Sequence, residues 1–360
     1  MAGGWLRFAA VRLTIDGTEQ VVALGDLART IAPLPAAARD RISRLCDALI
    51  APRAAVAGLT FDSPHVMGIV NVTPDSFSDG ALRPGGLDPV AAARAMIAAG
   101  ASLVDVGGES TRPGAADVTV ADELARVAPI LAALAGPVAT GGMTSGSAGT
   151  VVPGVDGDRS ALPLSVAARS AVPVSIDTRK SAVMAAALDA GAVLVNDVSA
   201  LTFDPAALAL VAARGASVVL MHAQGTPATM QAAPHYGDPV AEVFDWLEAR
   251  IAACVAAGID RTRLIVDPGI GFGKTAAHNT ALLRGLATFH ALGVPVLLGA
   301  SRKAVVPALA GDRSLVEQRL GGSLALALHG VAHGIQIVRV HDVAETVQAV
   351  RVWTAIDRAA

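Results

Sequence analysis

The sequence predicts an α/β protein with the architecture of a (β/α)8 TIM barrel, and three observations predict it. Eight short apolar runs recur from residue 64 onward, and most of them end in a polar residue. Ala-rich stretches with helical periodicity separate these runs. Residues 64–360 exceed the roughly 250 positions that a typical barrel of this kind needs. An open doubly wound sheet is the alternative, but eight units in series without a switch point favour closure.

The predicted strands are apolar at successive positions, which is typical of parallel strands that are buried on both faces. These strands are Val66–Asn71, Leu103–Val106, Val172–Asp177, Val193–Asp197, Ser217–His222, Leu264–Asp267, Val294–Ser301 and Ile335–His341. The predicted helices are Val90–Ala99, Asp122–Leu134, Ser181–Ala190, Pro205–Ala213, Asp238–Ala257, Asn279–Leu292 and Glu317–His333. Glycine follows several of these helices, as at Gly100 and Gly215, where a left-handed residue can end a helix.

Two segments fall outside the predicted barrel of residues 64–360. Residues 1–63 predict a short N-terminal appendage with a strand over Leu6–Ile15 and a helix over Ala36–Ile50. Residues 136–165 are rich in Gly, Ser, Thr and Pro, which predicts a flexible surface insertion. The insertion lies between a helix and the next strand, so we expect it on the face of the barrel that is remote from the active site.

Composition excludes several classes of protein. The formal net charge is −3 and only 3% of residues are aromatic, so neither a basic surface nor a stacking platform for nucleic acid is expected. An apolar content of 53% excludes a mainly disordered chain. The uncharged run most worth testing as a membrane span, Gly321–Val338, contains two histidines and several glycines and is not expected to cross a membrane. No secretion signal is recognised and the two cysteines are far apart in sequence, so we expect a cytoplasmic protein.

Polar residues at the strand ends point to an active site, because a barrel brings these ends together around one mouth. They are Asn71, Asp105, Asp177, Asn196, Asp197, His222, Asp267, Ser301, Arg302, Lys303, Arg339 and His341, with Met221 beside His222. Any single Asp or Asn suits a turn, so the inference depends on the set. Carboxylates and amides together with two or three cations suit an uncharged heterocycle with N–H edges and an anionic tail. Arg112, Arg339 and His341 suit the phosphate oxygens of such a tail.

Two other patterns do not predict a site. The segment Gly269–Thr275 resembles a phosphate-binding loop but is one residue short of the required spacing. His329 and His333 are four residues apart on a predicted helix, yet no third zinc ligand is evident.

Eight motifs in order resemble those of the dihydropteroate synthases. The first two are long: Gly68–Gly80 reads GIVNVTPDSFSDG, and Asp105–Gly114 reads DVGGESTRPG. The shorter ones are Ser175–Thr178, Asn196–Ser199, Leu220–His222, Asp267–Lys274, Ser301–Lys303 and Arg339–His341. The resemblance covers about residues 64–350. It implies a pterin-binding barrel of folate biosynthesis, a sulfonamide target that joins a dihydropterin methyl diphosphate to 4-aminobenzoate and releases diphosphate and 7,8-dihydropteroate.

The resemblance also implies roles for individual residues. Those that bind the pterin diphosphate are Thr111, Asp177, Asn196, Met221, Asp267, Phe272, Lys303, Arg339 and His341. Those that handle the diphosphate and the amine in catalysis are Asn71, Arg112, Lys303, Arg339 and His341. Those of the two mobile loops and the aminobenzoate channel are Phe77, Asp79, Thr111, Arg112, Pro113, Lys303 and Ala304. Mg²⁺ is the implied cofactor with Asn71 as its protein ligand, and the family usually forms homodimers.

One residue departs from the family pattern. Ala304 follows Lys303 at a position where many members carry Ser, whose hydroxyl is available to the aminobenzoate carboxylate. The backbone N–H remains at this position, so the departure predicts weaker aminobenzoate binding rather than loss of activity.

Two alternative functions stay open. A methyltransferase that passes a methyl group from a reduced folate to a corrinoid partner would share the Asp and Asn residues. It has no need of Arg112, Lys303, Arg339 and His341, whose presence argues against it. A paralogue that binds a pterin without turnover is the second alternative, and the intact segments 75–79 and 109–113 argue against it.

Overall fold

The eight predicted strands form one parallel sheet that curves into a nearly closed barrel, as predicted. The structure is a computed structural model that describes residues 4–15, 17–72, 88–112, 114–135 and 172–358. Neighbouring strands follow chain order from His65–Asn71 to Leu264–Asp267, with Ile337–Val340 on the other side of His65–Asn71 and Leu297–Leu298 beyond it. A parallel bridge between Val266 and Val296 joins the two edges. The predicted insertion 136–165 lies outside the described residues, as do Phe77, Asp79 and Pro113.

The described part of the chain alternates between strands and helices. The barrel strands are β3 His65–Asn71, β4 Leu103–Gly107, β5 Val174–Asp177, β6 Leu194–Asp197, β7 Ser217–Met221, β8 Leu264–Asp267, β9 Leu297–Leu298 and β10 Ile337–Val340. The helices are α1 Leu27–Ile31, α2 Ala36–Ile50, α3 Pro89–Ala98, α4 Val120–Ala135, α5 Ser181–Asp189, α6 Ala207–Arg214, α7 Pro239–Ala256, α8 Ala276–Arg284, α9 Val305–Ala310, α10 Leu320–Ala332 and α11 Val343–Arg358.

Two helix boundaries show the local chemistry that sets these elements. Helix α7 begins at Pro239, and the carboxylate of Asp238 accepts hydrogen bonds from the free N–H groups of Val240 and Ala241 at 2.9 and 3.1 Å. Helix α6 ends at Gly215, whose φ of 56° is the left-handed conformation that glycine adopts readily.

Alternation along the strands divides the apolar residues into two cores. Outward side chains such as Val104, Ile176 and Val266 pack under the surrounding helices. Inward side chains fill the barrel together with three residues of the preceding segment. This inner core contains Val56, Leu59, Phe61, Met67, Leu103, Leu194, Val219, Ile265, Leu297 and Ile337. Both faces of each strand are therefore buried, which explains the continuous apolar runs in the sequence.

The N-terminal segment differs from the prediction of one strand. Strand β1, Ala10–Ile15, pairs antiparallel with a second strand β2, Thr18–Ala23. The sequence signal that was missed is the Asp16-Gly17 dipeptide between them, which is typical of a tight hairpin. The helix predicted over Ala36–Ile50 is confirmed with the same bounds.

Three barrel elements are shorter than predicted. The single helix expected over Asn279–Leu292 is broken at Gly285 into α8 and a 3₁₀ segment, Leu286–Leu292. The strand expected over Val294–Ser301 is reduced to Leu297–Leu298, beginning beyond Pro295, which has no N–H for the ladder. The helix expected over Glu317–His333 begins at Leu320, after a 3₁₀ turn. Among the described residues, no helix combines the length and apolarity that crossing a bilayer requires.

Candidate active site

The polar residues of the mouth lie directly above the inner core. Because side chains alternate along a strand, a residue two positions after an inward apolar residue also points into the barrel. Five such pairs contribute a residue to the mouth: Leu103–Asp105, Leu194–Asn196, Val219–Met221, Ile265–Asp267 and Ile337–Arg339. The apolar residues pack together inside the barrel, and the second residues of the pairs form the next layer, which faces the mouth. The predicted convergence of the strand ends follows from this spacing.

Arg339 joins two carboxylates at the centre of the mouth. Its Nε donates to Oδ2 of Asp105 at 2.7 Å, and its Nη2 donates to Oδ2 of Asp177 at 2.7 Å. The amide nitrogen of Asn196 donates to the same Oδ2 of Asp105 at 2.8 Å. The amide oxygen of Asn196 then remains as an acceptor. These contacts bring Asp177, Asn196 and Arg339 together, as the sequence predicted.

Asp105 is the residue of this cluster to which sequence analysis assigned no role. It is fully buried, and one of its oxygens accepts hydrogen bonds from both Arg339 and Asn196. The signal was available, since Asp105 follows Leu103 by two positions within a wholly apolar strand, as Asp267 follows Ile265. Its Oδ2 supports Arg339 and Asn196, whereas its Oδ1 is buried without a hydrogen-bond partner among the described residues.

Burial dominates the ionisation of the carboxylates. Burial raises the pKa of Asp177 to about 7, with the neighbouring carboxylate of Asp105 acting in the same direction and the charge of Arg339 opposing both. Burial also raises the pKa of Asp267, against the charge of Lys303 and the N–H of Gly269, which donates to Oδ1 of Asp267 at 2.7 Å. A carboxyl group with a raised pKa can accept a hydrogen bond from a ring N–H, and in its protonated form it can also donate one.

Lys303 lies beside Asp267 and the aromatic wall. Its Nζ donates to the carbonyl oxygen of Ile270 at 2.5 Å and lies 4.5 Å from the centre of the Phe272 ring. Burial lowers the pKa of Lys303 to about 8, and the charge of Asp267 opposes this shift. Met221 is buried at the end of the strand next to Asp267. The structure thus places Met221, Asp267, Phe272 and Lys303 in one region, as predicted.

His341, which the sequence predicts to bind phosphate oxygens, lies directly after β10 and contacts Ser301. Its Nδ1 lies 3.1 Å from Oγ of Ser301, and the same oxygen accepts a hydrogen bond from the backbone N–H of His341 at 3.3 Å. Burial lowers the pKa of His341 to about 3, and the charges of Arg302, Arg339 and Arg112 act in the same direction. The imidazole is therefore neutral at pH 7 and offers one N–H to a substrate.

The remaining predicted residues lie at the rim. Asn71 is the half-buried last residue of β3 and pairs with Gly107. Thr111 is half-buried, whereas Arg112 is exposed and close enough to affect the ionisation of His341. Ala304 is the exposed residue before α9 and makes no side-chain capping bond. In the described ranges, no group of three or more His, Cys, Asp or Glu side chains is arranged to hold a metal.

Two strand-end residues named in the sequence serve the scaffold. The carboxylate of Asp197 accepts hydrogen bonds from the backbone N–H groups of Ser199 and Leu201, at 2.7 and 2.8 Å. His222 is buried, with its ring 5.0 Å from that of Trp246. Asp197 thus makes the turn that Asp residues favour, and His222 is packed.

Comparison with known proteins identifies the family. A family profile described as "pterin binding enzyme" matches residues 67–143 and 142–341. The dihydropteroate synthase of Escherichia coli K12 is 44% identical over 297 residues, which cover 82% of this chain and 93% of that protein. The chain belongs to the dihydropteroate synthase family. A further member, from Synechocystis, is 37% identical over 322 residues, covering 89% of this chain and all of that protein.

Solved structures of dihydropteroate synthases agree with this assignment. The Xanthomonas albilineans enzyme with 4-aminobenzoic acid is 46% identical, with a TM-score of 0.69, and the match covers 85% of this chain and 98% of that one. The Yersinia pestis enzyme in a complex with a sulfonamide drug is 42% identical, with a TM-score of 0.70 and 85% and 99% coverage. The fold and the family are thus shown by sequence and structure together.

Proposed function

We propose that the mouth of this barrel carries out the dihydropteroate synthase reaction and that the residues gathered there divide its tasks. The substrates are a dihydropterin methyl diphosphate and 4-aminobenzoate, and the products are 7,8-dihydropteroate and diphosphate. The observation that carries the proposal is the bridge from Arg339 to Asp105 and Asp177, beside Asn196. It places hydrogen-bond acceptors for ring N–H groups close to a guanidinium in the mouth of the barrel.

Residues at one side of the mouth bind the pterin. Asp177, the amide oxygen of Asn196 and Asp267 accept hydrogen bonds from the N–H edge of the ring. Met221 and Phe272 supply apolar walls, and Lys303 donates to the pterin carbonyl from its place over Phe272. Arg339 stacks on the ring through the plane of its guanidinium, which Asp105 and Asp177 hold from the edge.

Residues at the rim receive the diphosphate. Arg112, Thr111 and the free N–H of His341 donate to its oxygens, and Arg339 adds positive charge from below. The bond between the pterin methylene carbon and the diphosphate oxygen breaks, and its electron pair leaves with the diphosphate. The electron-rich pterin stabilises the resulting cation. The neutral aniline nitrogen of 4-aminobenzoate then attacks this carbon and loses one proton, so no nucleophilic side chain is needed.

Mg²⁺ fits this arrangement with Asn71 as its protein ligand. Mg²⁺ is commonly held by one or two protein oxygens and completes its shell with substrate phosphates and water. Asn71 offers an amide oxygen at the rim, where the diphosphate is placed, and the described part of the chain has no cluster of carboxylates that would hold the ion alone. When bound, the ion would neutralise charge on the leaving diphosphate.

Further parts of the proposal rest on the family resemblance. Phe77, Asp79 and Pro113, with Thr111 and Arg112, form two loops that close over the bound substrates. Ala304 and Lys303 line the aminobenzoate channel. The protein acts in the cytoplasm as a homodimer without a nucleic-acid or membrane partner. Residues 1–63 form an appendage to the barrel of residues 64–360, although Val56, Leu59 and Phe61 contribute to the barrel interior.

One assay separates this proposal from its alternatives. A synthase releases diphosphate only when Mg²⁺, the pterin diphosphate and 4-aminobenzoate are all present, and a sulfonamide inhibits this release. A pterin-binding paralogue binds the pterin by calorimetry and releases no diphosphate. A methyltransferase transfers a methyl group from methyl-tetrahydrofolate to a corrinoid and is indifferent to 4-aminobenzoate. Either of the last two results would refute the synthase reaction.

A further inference from the structure

Lys274 is a buried lysine that the reaction does not use. Its side chain is at the end of the segment that resembles a phosphate-binding loop, yet the residue is only 3% exposed. Its Nζ lies 2.9 Å from the carbonyl oxygens of both Gly269 and Phe272, and 3.2 Å from that of His222. It also lies 3.0 Å from Nδ1 of His222. In its protonated form the lysine has three N–H donors, and these four acceptors occupy them all. Burial lowers the pKa of Lys274 to about 7, and the charge of Asp267 opposes this shift.

The ring of His222 acts as an acceptor toward this lysine. Burial lowers the pKa of His222 to about 3, and the charge of Lys274 acts in the same direction. The imidazole is therefore neutral, with a lone pair on the nitrogen that faces Nζ of Lys274. All four groups around Nζ of Lys274 can thus accept a hydrogen bond, so protein groups take up the donors of this lysine.

The turn of residues 269–273, whose carbonyl groups bind Lys274, has a restricted backbone conformation. Gly269, Gly271 and Gly273 have φ values of +69°, +86° and +61°. A Cβ at Gly269 would lie 1.9 Å from the carbonyl oxygen of His222, and a Cβ at Gly273 would lie 2.3 Å from that of Gln224. The turn therefore packs backbone to backbone against the chain that follows β7. The carbonyls of Gly269 and Phe272 turn inward toward Lys274 in this position.

The other side of the same turn faces the proposed pterin site. The carbonyl oxygen of Ile270 accepts a hydrogen bond from Nζ of Lys303 at 2.5 Å. The ring of Phe272 lies 4.5 Å from the same nitrogen. Successive carbonyls of one turn are thus divided between two lysines: Gly269 and Phe272 bind the buried one, and Ile270 binds the one in the site.

We propose that Lys274 is a positioning residue that sets the place of the Lys303 ammonium and the Phe272 ring for pterin binding, through the turn between them. The proposal rests on the proposed function of the mouth. The segment Gly269–Thr275, which nearly matches a phosphate-binding loop, therefore has a different role. Its lysine binds carbonyl groups of its own turn instead of a phosphate.

A bond at the far end of the turn supplies a matched control. The hydroxyl of Tyr236 donates to the carbonyl oxygen of Gly273 at 3.0 Å. Tyr236→Phe removes this one hydrogen bond and leaves the carbonyls of Gly269, Ile270 and Phe272 untouched. A variant that merely loosens the turn and one that displaces Lys303 can therefore be told apart.

The test is a double-variant cycle on the full chain. Lys274→Met, Lys303→Met, the double variant and Tyr236→Phe are compared for the KM of the pterin diphosphate, for kcat and for the melting temperature. We expect Lys274→Met to raise the pterin KM at least tenfold in the wild-type background and less than threefold when Lys303 is already Met. Lys274→Arg, which keeps a charged donor, should recover part of the loss. Tyr236→Phe should leave the pterin KM within twofold.

Two outcomes would overturn the proposal. One is an equal increase in pterin KM in both backgrounds, which would show that Lys274 acts independently of Lys303. The other is a lower melting temperature or kcat with an unchanged pterin KM, which would show a purely structural role. If Lys274→Met does not fold by circular dichroism, Lys274→Gln enters the same cycle with the same criteria. Absence of diphosphate release by the wild type would instead refute the proposed function.

Discussion

Asp105 and Arg339, which are 234 positions apart in sequence, form a charged hydrogen bond of 2.7 Å at the base of the mouth. The same carboxylate oxygen of Asp105 accepts the amide N–H of Asn196. This one carboxylate oxygen therefore orients both a cation and an amide that face the proposed substrate site. Such a buried charge is costly unless it is paired, so the pair fixes the conformation of both residues.

Asp105→Asn is expected to lower kcat/KM for the pterin diphosphate at least a hundredfold. The amide cannot accept two charge-assisted hydrogen bonds as the carboxylate does, so Arg339 and Asn196 lose their common anchor. The variant also removes a negative neighbour of Asp177, which should lower the pKa of Asp177. Steady-state kinetics across pH 6 to 9 measure both effects.

The control for this variant is Asp245→Asn, which changes a surface carboxylate that pairs with Arg41. It should leave kcat/KM within twofold. A catalytic efficiency that is equally unchanged in Asp105→Asn would contradict the anchoring role of Asp105.

The sequence predicted the barrel because its strands obey a simple rule of burial. Parallel strands covered on both faces must be apolar at successive positions, so their ends can be located without coordinates. The convergence of Asp177, Asn196, Asp267 and Arg339 followed from the closed architecture alone. The hairpin β1–β2 was missed because only one of its strands was recognised, although the Asp16-Gly17 dipeptide marked the turn.

The contacts within the site could not be predicted, because they depend on distances between strands far apart in sequence. Nothing in the sequence around Asp105 shows that one oxygen serves both Arg339 and Asn196. The neutral state of His341 likewise follows from burial and from the surrounding arginines. For Lys274, the local pattern suggested a phosphate and the structure shows a lysine that binds carbonyls.

Arg179→Met is expected to lower the free energy of unfolding by about 2 kcal/mol, as for lost hydrogen bonds to a charged group, because Glu109 keeps Lys180 as a partner at 3.0 Å. The guanidinium of Arg179 donates to both oxygens of Glu109 at 3.0 and 3.2 Å, and its Nη2 donates to Asp117 at 2.6 Å. These bonds fasten the two ends of the segment that carries Thr111 and Arg112. The KM for the substrates that this segment contacts should therefore rise as well. Urea unfolding and steady-state kinetics provide the measurements.

Arg214→Met is the matched control for Arg179→Met, since the ion pair of Arg214 with Asp189 is largely exposed. Exposed pairs contribute about 0–1 kcal/mol, so this variant should change stability little. Equal losses of stability in the two variants would contradict the role assigned to burial.

Ala304→Ser is expected to lower the KM for 4-aminobenzoate about tenfold. Ala304 is exposed directly before α9, and the O–H of a serine here could donate to the aminobenzoate carboxylate even while its oxygen accepts a helix N–H. A hydrogen bond to a charged group contributes about 1.5–3 kcal/mol. Ala308→Ser, on an exposed position of the same helix, is the control. An unchanged KM in Ala304→Ser would show that the missing hydroxyl does not limit aminobenzoate binding.

Acid should destabilise the protein in part through His290. This residue is 1% exposed, its Nε2 lies 2.8 Å from the carbonyl oxygen of His333, and burial lowers its pKa to about 4. Between pH 6.5 and 4 the unfolded chain binds a proton that the native imidazole does not, so the free energy of unfolding falls as pH decreases. A shift of this size corresponds to about 3 kcal/mol over the full window.

His290→Gln is expected to reduce the dependence of unfolding free energy on pH between 6.5 and 4, since the amide keeps a hydrogen-bond donor for His333 and does not titrate. Urea unfolding at half-unit pH steps measures the slope. His235→Gln, at an exposed position, controls for the loss of one imidazole. His222 and His341, whose pKa values are also lowered, remain in both variants, so a smaller but non-zero slope is expected. A slope in His290→Gln equal to that of the wild type would mean that His290 does not couple protonation to unfolding.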